Sequence, residues 1–149
     1  MSSSSARKIV PTRWRFWLPA LFWMALIFLM SHQPGGDSGN LSRLILEYLA
    51  SWGIDLRAWF GDHAFWVIRK MAHFTEYFIL YLLVAIGWGN FARNKWYILG
   101  FCMLYAASDE FHQLFIPGRV GDIGDVMIDS TGAFFGLIII ALVRRWKKS

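Results

Sequence analysis

Apolar residues fall into four blocks along this chain, separated by polar or glycine-rich stretches. The first runs from Trp17 to Met30 and extends back through Phe16 and Trp14. The second runs from Phe65 to Trp88, the third from Trp96 to Phe115, and the fourth from Val126 to Val143. A helix needs about 20 residues, within a range of about 17–25, to cross the hydrocarbon core of a bilayer. The pattern therefore predicts an all-α membrane protein with four transmembrane helices, over about residues 14–31, 65–89, 96–115 and 125–143. Residues 14–149 read as one domain. Residues 1–13, with Ser2 to Ser5 and the basic Arg7, Lys8 and Arg13, read as a disordered cytoplasmic tail.

The long connection runs from His32 to about His63. Gly35, Gly36, Asp37, Ser38 and Gly39 make a flexible start, and Asn40 can cap a helix. Leu41, Leu44, Ile45, Tyr48, Leu49 and Trp52 then recur at helical spacing, with Ser42, Arg43 and Glu47 on the other face. This predicts a short amphipathic helix in the first outer loop, lying in the interface or packed on the bundle. A lid over a site is the alternative. Trp52, Trp59 and Trp66 suit interfacial anchors.

Composition agrees with the pattern. Charged residues make up 17% of the chain, against about 25% in soluble domains, and hydrophobic residues make up 56%. A disordered chain would be polar and poor in aromatics, so that class is excluded. The single Cys102 excludes a disulfide-stapled domain, and its apolar surroundings make it a packing residue. A net charge of +5 would suggest nucleic acid, but its distribution argues otherwise. Arg7, Lys8, Arg13 and Arg15 precede the first block, Arg93 and Lys95 lie between the second and third, and Arg144, Arg145, Lys147 and Lys148 follow the fourth. An even number of crossings puts these groups on one side, which the positive-inside rule makes the cytoplasm, with both termini. The acidic residues lie in or near segments of the other side. The basic balance is topology, and nucleic acid is excluded as a partner. A secretory signal is the rival for the first block, but Ser31-His32-Gln33-Pro34-Gly35 offers no small-x-small cleavage pattern. The expected location is the inner membrane, multi-pass.

Ionisable residues inside spans are costly and usually face the bundle interior. Three groups stand out. Lys70, His73, Glu76 and Tyr77 lie on the second span, with Lys70, His73 and Tyr77 in one stripe and Glu76 three residues from His73. Lys70 taken alone also fits snorkelling to the interface. Asp109, Glu110, His112 and Gln113 lie late in the third span. Two adjacent carboxylates in apolar surroundings need a cation, a metal or a shared proton, and a structural salt-bridge network is the alternative to a site. Ile116-Pro117-Gly118-Arg119 reads as a turn, after which Asp122, Asp125 and Asp129 form one helical stripe continued by Gly132 and Gly136. Small-xxx-small spacing lets a partner helix approach closely, so the stripe faces the bundle. Asp122 and Asp125 also suit a helix start. In the expected topology all three groups, with Ser31 and His32, converge at the outer ends of the helices.

Taken together, Lys70-Met-Ala-His73-Phe-Thr-Glu76-Tyr77, Ser108-Asp109-Glu110-Phe-His-Gln113, Pro117-Gly118-Arg119 and Asp125-Val-Met-Ile-Asp129-Ser-Thr-Gly132 resemble the VanZ-like family. The Ser31-His32-Gln33-Pro34 stretch is similar as well, and the resemblance covers nearly the whole chain after about residue 14. Asp129 departs from it, standing where the family leads one to expect Asn. The resemblance implies a polytopic bacterial membrane protein, and its founding member is associated with low-level resistance to the glycopeptide teicoplanin. It assigns no reaction.

Three functions follow. The first is a site for an amphiphilic or phosphorylated cell-envelope ligand, such as a lipid-linked or lipoglycopeptide molecule. Lys70, Tyr77, Gln113, Arg119, Asp125 and Asp129 would bind it. His73, Glu76, Asp109 and Glu110 are the acid–base candidates. Whether a reaction is catalysed stays open, because no diagnostic nucleophile is present. Asp109 and Glu110 with Asp125 and Asp129 can hold a divalent cation, although no HExxH-type spacing supports one. The second is a structural or partner-binding protein whose polar groups only lock helices together. The third is a small transporter, opposed by the absence of repeats and of titratable residues, tyrosines apart, in stretches such as Ile79–Ile86 and Phe134–Leu142.

Overall fold

The computed structural model describes residues 13–88 and 91–147, so residues 1–12 of the expected tail lie outside the described residues. Regular structure among the described residues is helical. A 3₁₀ turn over Arg13–Phe16 leads into α1, Leu18–Ser31. Then come α2, Gly35–Ser51, and α3, Leu56–Phe60, followed by a second 3₁₀ turn at Gly61–His63. Three long helices complete the chain: α4, Ala64–Trp88; α5, Phe91–Gln113; and α6, Ile123–Trp146.

Two stretches, Leu56–Trp88 and Ile123–Trp146, are long and apolar enough to cross a membrane. They cover the second and fourth expected spans. The first and third do not reach that standard. α1 is apolar but has 14 residues, which gives a rise of only about 21 Å. α5 has 23 residues but contains Arg93, Asn94, Lys95, Asp109 and Glu110. The outward helix faces carry large apolar side chains nonetheless. Phe22 of α1, Leu104 of α5 and Met127 of α6 are 69%, 74% and 67% exposed on the outer surface of the bundle. Trp52, Trp59 and Trp66 are exposed as well.

α4 is the central helix, and its main partner is α6. Glycine makes that contact close. A Cβ added at Gly132 would lie 2.2 Å from the Phe74 carbonyl oxygen, and one at Gly136 would meet the Tyr81 ring at 3.0 Å. The small-residue stripe of α6 therefore lies against the α4 backbone. Around this seam Tyr77, Leu80, Tyr81 and Val84 of α4 pack with Ile27, Ile98, Cys102, Ala106, Ala133 and Leu137. The polar tips of the aromatic residues tie helices together, because an indole or phenol buried without a partner is costly. Trp23 Nε1 donates to the Glu76 carbonyl at 2.9 Å, Tyr105 to that of Met24 at 2.7 Å, and Tyr81 to that of Lys95 at 3.1 Å.

α2 begins at Gly35, not after Asn40 as the glycine-rich sequence suggests. The reason is a docking contact. Ile116-Pro117-Gly118-Arg119 is a tight turn in which the Arg119 N–H donates to the Ile116 carbonyl at 3.1 Å and Gly118 has φ +74°. The Gly35 N–H donates to the Pro117 carbonyl at 3.2 Å, and a Cβ on Gly35 would sit 2.0 Å from the Gly118 oxygen. Glycine at position 35 lets the helix start against this turn. The apolar stripe of α2 then divides. Leu46 is buried with Leu56 and Ala64, and Leu49 packs beside them, while Leu44, Tyr48 and Trp52 face outward.

Gly132→Ala is expected to lower stability by about 1–3 kcal/mol, since the methyl group meets backbone that cannot yield. Gly100→Ala, with nothing within 4 Å of the new Cβ, should leave stability unchanged or slightly raised. Thermal unfolding of both variants in detergent checks the contrast.

Candidate functional site

The polar residues gather at one end of the bundle, where α1 ends, α4 begins, α5 ends and α6 begins. They divide into two sectors because α4 and α5 each present two adjacent faces. At 100° per residue, Lys70, His73, Tyr77 and Tyr81 share one side of α4, and Arg69, Ala72, His73 and Glu76 share the next. His73 stands on the border. On α5, the adjacent Asp109 and Glu110 point about 100° apart and enter different surroundings.

The first sector joins α4 to α6. The Lys70 ammonium donates to Asp125 Oδ1 and lies 3.6 Å from Asp122 Oδ2. His73 Nδ1 is 3.1 Å from Asp129 Oδ1, and His73 Nε2 is 3.9 Å from Asp125 Oδ2. Asp125, Asp129 and His73 are all buried. Glu110 reaches the same sector from α5, where its Oε2 accepts the Asp122 N–H at 2.9 Å. Its Oε1 is buried without a partner, as are Asp129 Oδ2 and the Tyr77 hydroxyl. Asp122 caps α6, accepting the Gly124 N–H at 2.8 Å. That bond, with the nearby Lys70 and Arg69 charges, holds the Asp122 carboxyl below the usual carboxylate range. The Asp122 cap is thus fully ionised near neutral pH and weakens only as pH falls through its lowered pKa.

The second sector lines a cavity of about 90 Å³ between α1, α2, α4 and α5. Its polar wall is Ser31, Arg69, His73, Glu76, Asp109, Gln113 and Arg119. Ser38, Leu41, Ser42 and Ile45 of α2 close one side, so the amphipathic helix both packs on the bundle and covers this space. Gln113 Nε2 donates to Ser31 Oγ at 2.9 Å, which leaves the Ser31 hydroxyl hydrogen for Asp109 beside it. Arg119 closes the end of α1. Its Nε donates to the Gln33 carbonyl at 3.1 Å, one terminal nitrogen donates to Met30 at 3.1 Å, and the other lies 3.5 Å from Gln113 Oε1. Burial lowers the Arg119 pKa from its ordinary value, and neighbouring carboxylates oppose that shift.

All ten sequence-predicted site residues lie at this end, but they do not form one cluster. Glu76, Asp109, Gln113 and Arg119 line the cavity with His73. Lys70 and Asp125 line a second, open groove of about 610 Å³ on the far side of α4, with Trp66, Arg69, Gly121 and Asp122. Asp129 lies buried behind His73, and Tyr77 lies in the core with its ring 6.2 Å from Tyr105. The acidic set expected around a cation also separates. Asp109 faces Ser31 and the cavity, while the atoms that approach one another within 4.8 Å belong to His73, Glu110 and Asp125. Sequence reasoning missed Arg69, which lines both the cavity and the groove and has no hydrogen bond or ion pair among the described residues. Its signal was the spacing to His73 and Glu76, four and seven residues on, which places it on their face. His32 and His112 meet at the same end, Nδ1 to Nε2 at 3.1 Å, stacked beside Phe28.

The sequence model of a family described as VanZ/LLP1 matches residues 16–144 of the chain. No curated protein and no solved structure matches it. The matched segment contains every residue of both sectors.

Removing Lys70 leaves Asp125 buried and uncompensated. Lys70→Ala is expected to cost about 3 kcal/mol of stability, and Lys70→Ala/Asp125→Ala less than the sum of the two single changes. A double-mutant cycle on unfolding in detergent measures the coupling, and additive losses would contradict a direct pair.

Proposed function

The chain belongs to the VanZ/LLP1 family, and from that premise we propose a multi-pass inner-membrane protein with a polar cavity at its extracytoplasmic end. The cavity binds the anionic head group of an amphiphilic cell-envelope ligand. The observation that carries this reading is the cavity between α1, α2, α4 and α5, with Arg69, Arg119, Gln113 and two carboxylates on its wall. Polar groups grouped around a cavity inside an otherwise apolar bundle are a binding-site arrangement.

Arg69 is the head-group anchor in this reading. Lys70 is neutralised by Asp125, and Arg119 is held by the Met30 and Gln33 carbonyls at the end of α1. Arg69 has its donors available and lies on the wall of both spaces. A guanidinium held this way suits a phosphate or carboxylate. α2 supplies the apolar wall for the acyl or glycan portion next to the head group. His73, Glu76 and Asp109 stand within the same wall as the acid–base groups of any reaction. The association of the resembled family's founding member with teicoplanin resistance fits a site facing the cell envelope.

The topology belongs to the same proposal. α1, α4, α5 and α6 cross the bilayer, and the basic residues before α1, Arg93 and Lys95 near the start of α5, and Arg144, Arg145 and Lys147 at the end of α6 lie in the cytoplasm. α1 is short, which local thinning of the bilayer and its aromatic flanks accommodate. A second reading has specific support in the α4–α6 sector, where Lys70–Asp125 and His73–Asp129 fasten one helix to the other. In that sector the polar residues act as a clamp, and binding is left to the cavity side.

Two measurements test the proposal. A cysteine at Ser51 should react with a membrane-impermeant maleimide in intact cells, and one at Arg145 only after permeabilisation. Reaction at both, or the reverse pattern, would overturn the topology. Native mass spectrometry of protein reconstituted with phosphatidylglycerol should show retained lipid. Arg69→Gln is expected to reduce retention about tenfold, the equivalent of about 1.4 kcal/mol, with an unchanged thermal midpoint. Equal retention by both proteins would remove the anchor role of Arg69.

A further inference from the structure

We propose that His73, Glu110 and Asp125 form a divalent-cation site where α4, α5 and α6 meet. The geometry points to it from several directions, and none of them depends on the cavity reading above. Each of the three residues brings one ligand atom to within 4.8 Å of the others, and all three are buried. They come from three different helices, so the fold itself assembles the set.

A cluster of acids alone would mean little, but here one carboxylate oxygen is left over. Glu110 is 5% exposed, its Oε2 is satisfied by the Asp122 N–H, and its Oε1 is buried with no partner. A buried unpaired carboxylate oxygen is expensive unless a proton or a cation meets it. The imidazole is oriented in the way a metal ligand needs. A carboxylate only accepts, so the 3.1 Å contact from Asp129 places the proton on His73 Nδ1. In the neutral ring the lone pair is then on Nε2, the atom that lies 3.9 Å from Asp125 Oδ2. An imidazole that donates its other N–H to a carboxylate is the usual support for a metal-bound histidine.

The remaining requirements are also met. Asp125 opens onto the groove of about 610 Å³ beside Gly121 and Asp122, which gives an ion a path inward. Lys70 provides the resident counter-charge on Asp125 Oδ1, and Asp122 Oδ2, 3.6 Å from the ammonium, can receive it when an ion enters. A cation bound at about 2.0–2.2 Å from each ligand would draw the side chains together by about an ångström. One imidazole with two carboxylates suits Zn²⁺ or Mn²⁺ better than an all-oxygen ion such as Ca²⁺. Three protein ligands leave coordination positions open for water or an oxyanion. Asp109, which sequence reasoning placed in the cation set, is not needed.

The test uses the full chain in detergent, stripped with chelator, loaded with Zn²⁺ or Mn²⁺ and desalted. Elemental analysis reads stoichiometry, and Mn²⁺ electron paramagnetic resonance reads affinity. About one ion per chain is expected for wild type and for Glu47→Gln, a control on the outward side of α2. Glu110→Gln should bind at least tenfold more weakly, and Asp129→Asn about 10–100-fold more weakly through the loss of its hold on His73. Added metal should raise the thermal midpoint of Lys70→Ala more than that of wild type, because the ion supplies the missing counter-charge. Wild-type protein that retains no ion would overturn the site. So would an ion held equally by wild type, Glu110→Gln and Asp129→Asn. Phosphatidylglycerol retention by a protein that holds no ion after loading would leave the cavity reading standing while this one fails.

Discussion

The structure depends on the contact between α4 and α6. Gly132 and Gly136 bring the α6 backbone against α4, and the same approach sets Asp125 and Asp129 opposite Lys70 and His73. Each half of this arrangement needs the other. Charges at that depth are tolerable only when paired at short range, and short range is available only where no side chain holds the helices apart. One helical stripe of α6 therefore carries both the acids and the glycines, the acids toward the polar end and the glycines toward the apolar one.

Once that seam is fixed, the rest of the polar end is divided by helical geometry. Consecutive residues on a helix differ by about 100° in direction. Asp109 and Glu110 are neighbours in sequence, yet one faces Ser31 and the cavity while the other faces the start of α6. Lys70 and Arg69 separate in the same way: one is paired with α6, and the other is left on the cavity wall. His73 stands on the border of both sectors, and Arg69 lines both the cavity and the groove. The pairing of adjacent carboxylates, which looks like a like-charge conflict in the sequence, is relieved because each has its own surroundings.

Much of this was legible in the sequence, for reasons that can be named. The Lys70, His73, Tyr77 stripe and the Asp122, Asp125, Asp129, Gly132, Gly136 stripe are periodic, and periodicity reports which side of a helix is buried. The Pro117-Gly118 turn has its own backbone chemistry and was equally readable. What was not readable depends on contacts far apart in sequence. The start of α2 at Gly35 is set by the Pro117 carbonyl across the fold, so local glycine content pointed to a loop. The seating of Arg119 on the Met30 and Gln33 carbonyls at the end of α1 is again a long-range contact. The freedom of Arg69 shows only once the partners of Lys70 and Arg119 are known. Four long apolar blocks also suggested four comparable spans, although α1 and α5 differ from α4 and α6 in length and polarity.

The two halves of the bundle differ in their buried groups. Beyond Tyr77, toward the other end of the bundle, the buried positions among the described residues include Leu80, Tyr81, Val84, Ala85, Ile98, Cys102 and Leu137. The Tyr81 hydroxyl is tied to the Lys95 carbonyl, and Gly136 is closed against the Tyr81 ring. That half of the α4–α6 seam is closely packed, and it is the contact on which the polar end depends. The same rigidity would suit the proposed head group or cation, since ligands fixed on packed helices are positioned more closely than ligands on loops. The cavity lies at the polar end of the bundle, with α2 laid along one side of it.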